Sequence, residues 1–112
     1  MTQPPIFERM SDPGFRALKQ LVSILAAIPL VERVVLFGSR ARGSADERAD
    51  IDLAVSAPEA GIVEWMDIEE RVDEADTLLP IDLVWWEQAS TRMKEWVKQE
   101  GVVLYERTAR SE

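Results

Sequence analysis

The sequence contains no histidine and no cysteine. Without histidine there is no Ser-His-Asp triad and no imidazole acid–base chemistry. Without cysteine there is no disulfide framework and no thiolate metal site. Any catalysis falls to carboxylates, hydroxyls, lysine or arginine. Any metal must take oxygen ligands, which suits magnesium, with manganese as the substitute. No apolar run reaches the ~20 residues of a membrane span. The first ten residues lack the basic start and apolar segment of a signal peptide, so a cytoplasmic protein without membrane contact is expected. Positive charge is also scarce: 13 Lys and Arg stand against 21 Asp and Glu, a net charge of −8. That balance disfavours direct binding to long nucleic acid, which needs a basic surface. It leaves a nucleotide open, because divalent cations offset carboxylates and ligand phosphates together.

What is present suits one compact domain. The chain has 112 residues, 46% hydrophobic and 30% charged, an ordinary globular balance. Residues 1–11, with Pro4-Pro5, read as a flexible leader. Residues 12–106 form the domain, and 107–112 a solvated tail. Asp12 caps a helix with Pro13 at its first position. Phe15, Leu18, Leu21, Val22 and Leu25 then recur at helical spacing, and Pro29 ends the run. Residues 31–37 are rich in β-branched residues and predict a buried strand. A second strand is expected over 50–55. Gly61 precedes a helix with Ile62, Trp65, Ile68 and Val72 on one face. A third strand spans 81–86. Ser90 or Thr91 caps a last helix with Met93, Trp96 and Val97 inward, ended by Gly101, and 102–105 form a fourth strand. The expected fold is α/β, or α+β: a mixed sheet of about four strands with helices mainly on one face.

The chemistry concentrates in residues 36–53. The apolar run Val34-Val35-Leu36-Phe37 stops at Gly38-Ser39. An Arg- and Gly-containing stretch follows, and then Asp50-Ile51-Asp52. Strand side chains alternate between faces, so Asp50 and Asp52 share one face while Ile51, Leu53 and Val55 take the other. Asp82 stands likewise between Ile81 and Leu83. If these strands are neighbours, three aspartates converge on one polar face. Unpaired, they would repel and raise each other's pKa values. Divalent cations resolve that conflict, and a pair of them is a known arrangement for nucleotidyl transfer, one serving the attacking oxygen and the other the triphosphate. Gly38 lets a ligand approach the backbone and Ser39 adds a hydroxyl, at a strand-to-helix turn whose free N–H groups suit phosphate. This is not a Walker A loop. Arg40 and Arg42 can clamp phosphate or pair on the surface with Asp46 or Glu47; Arg48 reads as surface. Of the adjacent Trp85 and Trp86, strand alternation sends one to each face, one into the core and the other toward a core neighbour or an interface. Trp65 and Trp96 read as core, and Tyr105 is the only tyrosine.

These residues resemble the minimal nucleotidyltransferases (MNT) of the DNA polymerase β-like superfamily. The family pattern is Gly-Ser-x-Ala-Arg-Gly, a short loop, Ser-Asp-x-Asp-Leu, and a third acid on a later strand. The chain has Gly38-Ser39-Arg40-Ala41-Arg42-Gly43, then Asp50-Ile51-Asp52-Leu53, then Asp82. Ala49 departs from the usual Ser, which removes a hydroxyl but no metal ligand. The resemblance implies that Asp50 and Asp52 hold two Mg²⁺ ions, that Gly38 and Ser39 bind the triphosphate of ATP, and that Asp82 completes the second metal site and helps deprotonate the acceptor. It implies an acceptor brought by another molecule, since the chain has no room for the helical domain of larger relatives. Members of this kind pair with a helical HEPN toxin in a hetero-oligomer and act as antitoxin, transferring AMP to a tyrosine of the toxin. Two other readings are a module that neutralises its HEPN partner by contact alone, and nucleotidyl transfer to a small molecule.

Overall fold

A computed structural model describes residues 13–43 and 49–107. The leader, Asp12, Asp46, Glu47 and Arg48 lie outside the described residues, as does the tail beyond Arg107. The elements run α1 (Pro13–Ala26), β1 (Arg33–Phe37), α2 (Ser39–Arg42), β2 (Ile51–Ser56), α3 (Ile62–Asp73), β3 (Ile81–Trp85), a 3₁₀ turn (Trp86–Gln88), α4 (Thr91–Glu100) and β4 (Val102–Glu106). One four-stranded sheet has the order β3-β2-β1-β4. β1 runs antiparallel to β2 and β4, and β2 runs parallel to β3, so the sheet is mixed.

The larger core lies between the sheet and the pair α1 and α3. Leu21 and Leu25 from α1, Ile68 from α3, and Val34, Leu36, Ile51, Leu53 and Val55 from the sheet are buried there. Each such side chain contributes roughly 1.5–3 kcal/mol over leaving it in water. Trp85 extends this face, stacked on Trp65 with ring centroids 5.0 Å apart and planes 7° apart. Trp86, one residue on, faces the opposite side. There α4 covers part of the sheet, burying Val97 against Phe37 and Ala54. Ser90 caps α4 by accepting a 3.1 Å hydrogen bond from the Met93 N–H. The Gly61 N–H, at the start of α3, donates to Glu64 (2.9 Å).

Three expectations change. Ile62 is 63% exposed, because it opens the first turn of α3 and the buried stripe begins only at Trp65. Trp96 is 40% exposed; it lies along the rim of the smaller core rather than in it. Arg107, assigned to the tail, is tied to the domain: its backbone N–H donates to Glu32 O (2.8 Å), and its guanidinium reaches the carbonyls of Ile28 and Val31 (3.3 and 3.1 Å). Among the described residues no helix is long and apolar enough to cross a membrane.

Candidate active site

The site forms where β1 ends and β2 and β3 begin. Antiparallel pairing sets Phe37, the last residue of β1, opposite Asp52. Parallel pairing sets Asp52 opposite Asp82 in register. Both aspartates therefore share the sheet face that α4 covers only in part, beside Phe37, Ala54 and Val84 rather than on a wholly polar face. Asp50 sits exposed just before β2. Its neighbour Ile51 donates its backbone N–H to Pro80 O (2.9 Å), which pins the two strand starts together.

Asp52 is half-buried while Asp50 and Asp82 are exposed. Burial, and then the negative charges of Asp82 and Asp50, push the Asp52 carboxyl above its usual value, and Arg42 partly opposes them. A cation beside Asp52 would relieve that cost. Among the described residues no three acids are gathered closely enough to enclose an ion by themselves. Such an open set fits magnesium, which keeps several waters and is held by one or two carboxylates plus substrate phosphates.

Gly38 joins β1 to the site. Its φ of 79° and ψ of −158° fall in a region essentially reserved for glycine. A β-carbon there would run into the Asp52 carboxylate, so the glycine backbone lies directly against that side chain. Gly38 takes the cap position, and Ser39 is the first residue of the single-turn α2. Gly43, at φ 79°, closes that turn in the left-handed region.

The two arginines have different places. Arg40 is only 8% exposed. Its Nε–H and one terminal N–H both donate to the Ala49 carbonyl (3.1 and 2.9 Å), and its guanidinium fills the space where a side chain on Gly14 would stand. It holds the start of the Asp50 segment and does not point outward as a phosphate clamp. The sequence could not separate these uses, because the carbonyl that orients Arg40 carries no side-chain signature. Arg42 is exposed and forms a 2.9 Å ion pair with Glu100 of α4, a partner 58 positions away that sequence reasoning missed. Glu100 also accepts from the Trp96 indole N–H (2.7 Å), and Trp96 meets Phe37 edge-on with centroids 5.1 Å apart. A cavity of about 270 Å³ lies toward the other end of the strands, lined by Arg33, Ser56 and Lys98 among others, away from the aspartates.

A family model described as polymerase beta nucleotidyltransferase matches residues 19–110, which takes in the glycine turn and all three aspartates. The chain belongs to this nucleotidyltransferase family. No curated protein sequence matches it significantly. Among solved structures its neighbours include chains of toxin–antitoxin complexes. A chain of a toxin–antitoxin complex with AMP-PNP is 25% identical at a TM-score of 0.60, over 83% of this chain and 73% of that one. A complex of tri-AMPylated Shewanella oneidensis HEPN toxin with MNT antitoxin gives 25% identity and a TM-score of 0.58, over 84% and 72%. A Sulfolobus solfataricus chain at 22% identity shares the fold, with a TM-score of 0.57 over 96% and 91%.

Proposed function

We propose that this nucleotidyltransferase transfers AMP from ATP to a hydroxyl, that of a tyrosine, on a HEPN toxin and so acts as its antitoxin. The observation that carries the proposal is the Asp52–Asp82 pair, set side by side by strand register, with Asp52 lying against the bare backbone of Gly38. Two carboxylates and a glycine turn are the complement of a metal-bound triphosphate. The complex of MNT antitoxin with a tri-AMPylated HEPN toxin supports the choice of a HEPN toxin as the molecule that accepts AMP.

In this reading Asp50, Asp52 and Asp82 hold magnesium, which would neutralise triphosphate charge and acidify the acceptor hydroxyl. Gly38 and Ser39 receive the β- and γ-phosphates. Arg42 lends positive charge at the edge, and Arg40 keeps Ala49 and Asp50 in position. The acceptor oxygen attacks the α-phosphorus, a new O–P bond forms, and the bond from that phosphorus to the bridging oxygen breaks. Pyrophosphate leaves. The hydroxyl proton passes to Asp82, which is exposed and therefore able to release it to water. Alignment and charge placement suffice for such a reaction, because phosphoryl-group chemistry asks little else of a protein.

The test is incubation with α-labelled ATP, magnesium and the HEPN partner. Label on a partner hydroxyl, lost on Asp50→Ala with Asp52→Ala, is the expected result. Failure to label a partner that remains tightly bound would overturn it. That second outcome is the contact reading, favoured by the exposed apolar cluster Ile62, Val63 and Met66 on one side of α3. It predicts that the double-alanine variant still neutralises the toxin fully.

A further inference from the structure

Trp96 is a large aromatic held in one orientation at the lip of the candidate site. Its indole N–H is fixed by Glu100, and its ring meets that of Phe37 in a T-shaped contact, Phe37 being the cross-strand partner of Asp52. Glu100 in turn holds Arg42, the cation that acts on Asp52. Yet 40% of the tryptophan stays exposed. An indole of α4 that served only packing would gain by lying deeper, as Val97 does beside it. Tethering an exposed indole at two points costs side-chain freedom, and that is useful where a flat ligand must be met by a flat surface.

We propose that Trp96 is the base platform of the site: the purine ring of the nucleotide stacks on its exposed face while the triphosphate lies on the Gly38–Asp52 edge. The inference rests on the nucleotidyltransferase reading above and adds the part of the ligand that the aspartates cannot recognise. Stacking on an indole is tolerant of base identity, since every base presents a π face. The platform therefore favours purine nucleotides over bare polyphosphate without separating adenine from guanine by itself.

The experiment compares ATP with inorganic tripolyphosphate, each with magnesium, by calorimetric titration of the full chain and of Trp96→Ala and Trp96→Phe. Loss of a stacked base weakens binding by about 5- to 150-fold. Trp96→Ala is expected to weaken ATP by that factor and to leave tripolyphosphate within about twofold. Trp96→Phe, which keeps a ring but loses the N–H to Glu100, is expected to recover most of the ATP affinity. If Trp96→Ala weakens both ligands equally, the residue acts only by holding Glu100 and Arg42, and the platform is refuted while the phosphate site stands. If it changes neither, the platform is likewise refuted. Failure of the unsubstituted chain to bind either ligand overturns the nucleotide reading, and the platform with it.

Discussion

Replacing Gly38 with alanine tests how the site is built. The glycine has φ 79° and ψ −158°, a conformation that costs other residues about 1–3 kcal/mol. A methyl group there also occupies the place of the Asp52 carboxylate. The two effects divide cleanly. The backbone penalty cannot be relieved locally, so it registers as lost stability. The overlap can be relieved by swinging Asp52 aside, so it registers as lost geometry. Urea melts of Gly38→Ala are expected to show a loss of about 1–3 kcal/mol, or at least roughly 4 °C in thermal midpoint for a domain of this size. AMP transfer, measured where both proteins are folded, is expected to fall on the order of 100-fold, the usual result of misplacing a reacting group by about an ångström. In an Asp52→Ala background the same substitution should keep its stability penalty and cost no further activity. A Gly38→Ala protein within about 0.5 kcal/mol of the parent and fully active would refute the reasoning.

Asp52→Asn removes a charge that the fold holds at a disadvantage. Because burial and the neighbouring aspartates raise the folded-state pKa above the ordinary 3.8, the unsubstituted protein has the full benefit of Asp52 below that value and loses it as pH rises through the folded value. Asp52→Asn is therefore expected to melt a few degrees higher than the parent at pH 7 in metal-free buffer, with the difference closing toward pH ~3; a variant less stable at pH 7 would contradict this. Magnesium should raise the midpoint of the parent and leave that of Asp52→Asn unmoved, by the ordinary linkage of a ligand that binds only the folded state. Arg40→Ala loses two charge-assisted hydrogen bonds to Ala49 O and should cost about 1.5–3 kcal/mol in a denaturant melt. Arg40→Lys should recover little, since one ammonium cannot reproduce the fork. Full recovery by lysine would show that charge alone matters at this position.

Much of the site was legible in sequence because strand alternation is a strict geometric rule. The sequences around Asp52 and Asp82 repeat the same apolar–acidic pattern, and placing the two strands side by side brings those acids together, as the observed register does. The order of elements was legible from helix periodicity and from Ser90, Gly61 and the proline positions. What escaped were the contacts between segments distant in sequence. The local sequence leaves Arg40 as either a phosphate clamp or a surface ion-pair partner; its inward turn depends on the Ala49 carbonyl and on Gly14 of α1. The Arg42–Glu100–Trp96 chain depends on where α4 crosses the sheet, which no local pattern encodes. Helical spacing groups Trp96 with Met93 and Val97 on the inward side of α4, but β1 ends at Phe37 and leaves the indole at the border.

The central claim is that the aspartate edge transfers AMP to a partner hydroxyl. Mass spectrometry of the HEPN partner after incubation with this chain, ATP and magnesium tests it most directly. The account predicts a partner heavier by one AMP group at a tyrosine, with pyrophosphate released in equal amount and neither product formed by Asp52→Ala. An unmodified partner in an intact complex with the unsubstituted chain would contradict it.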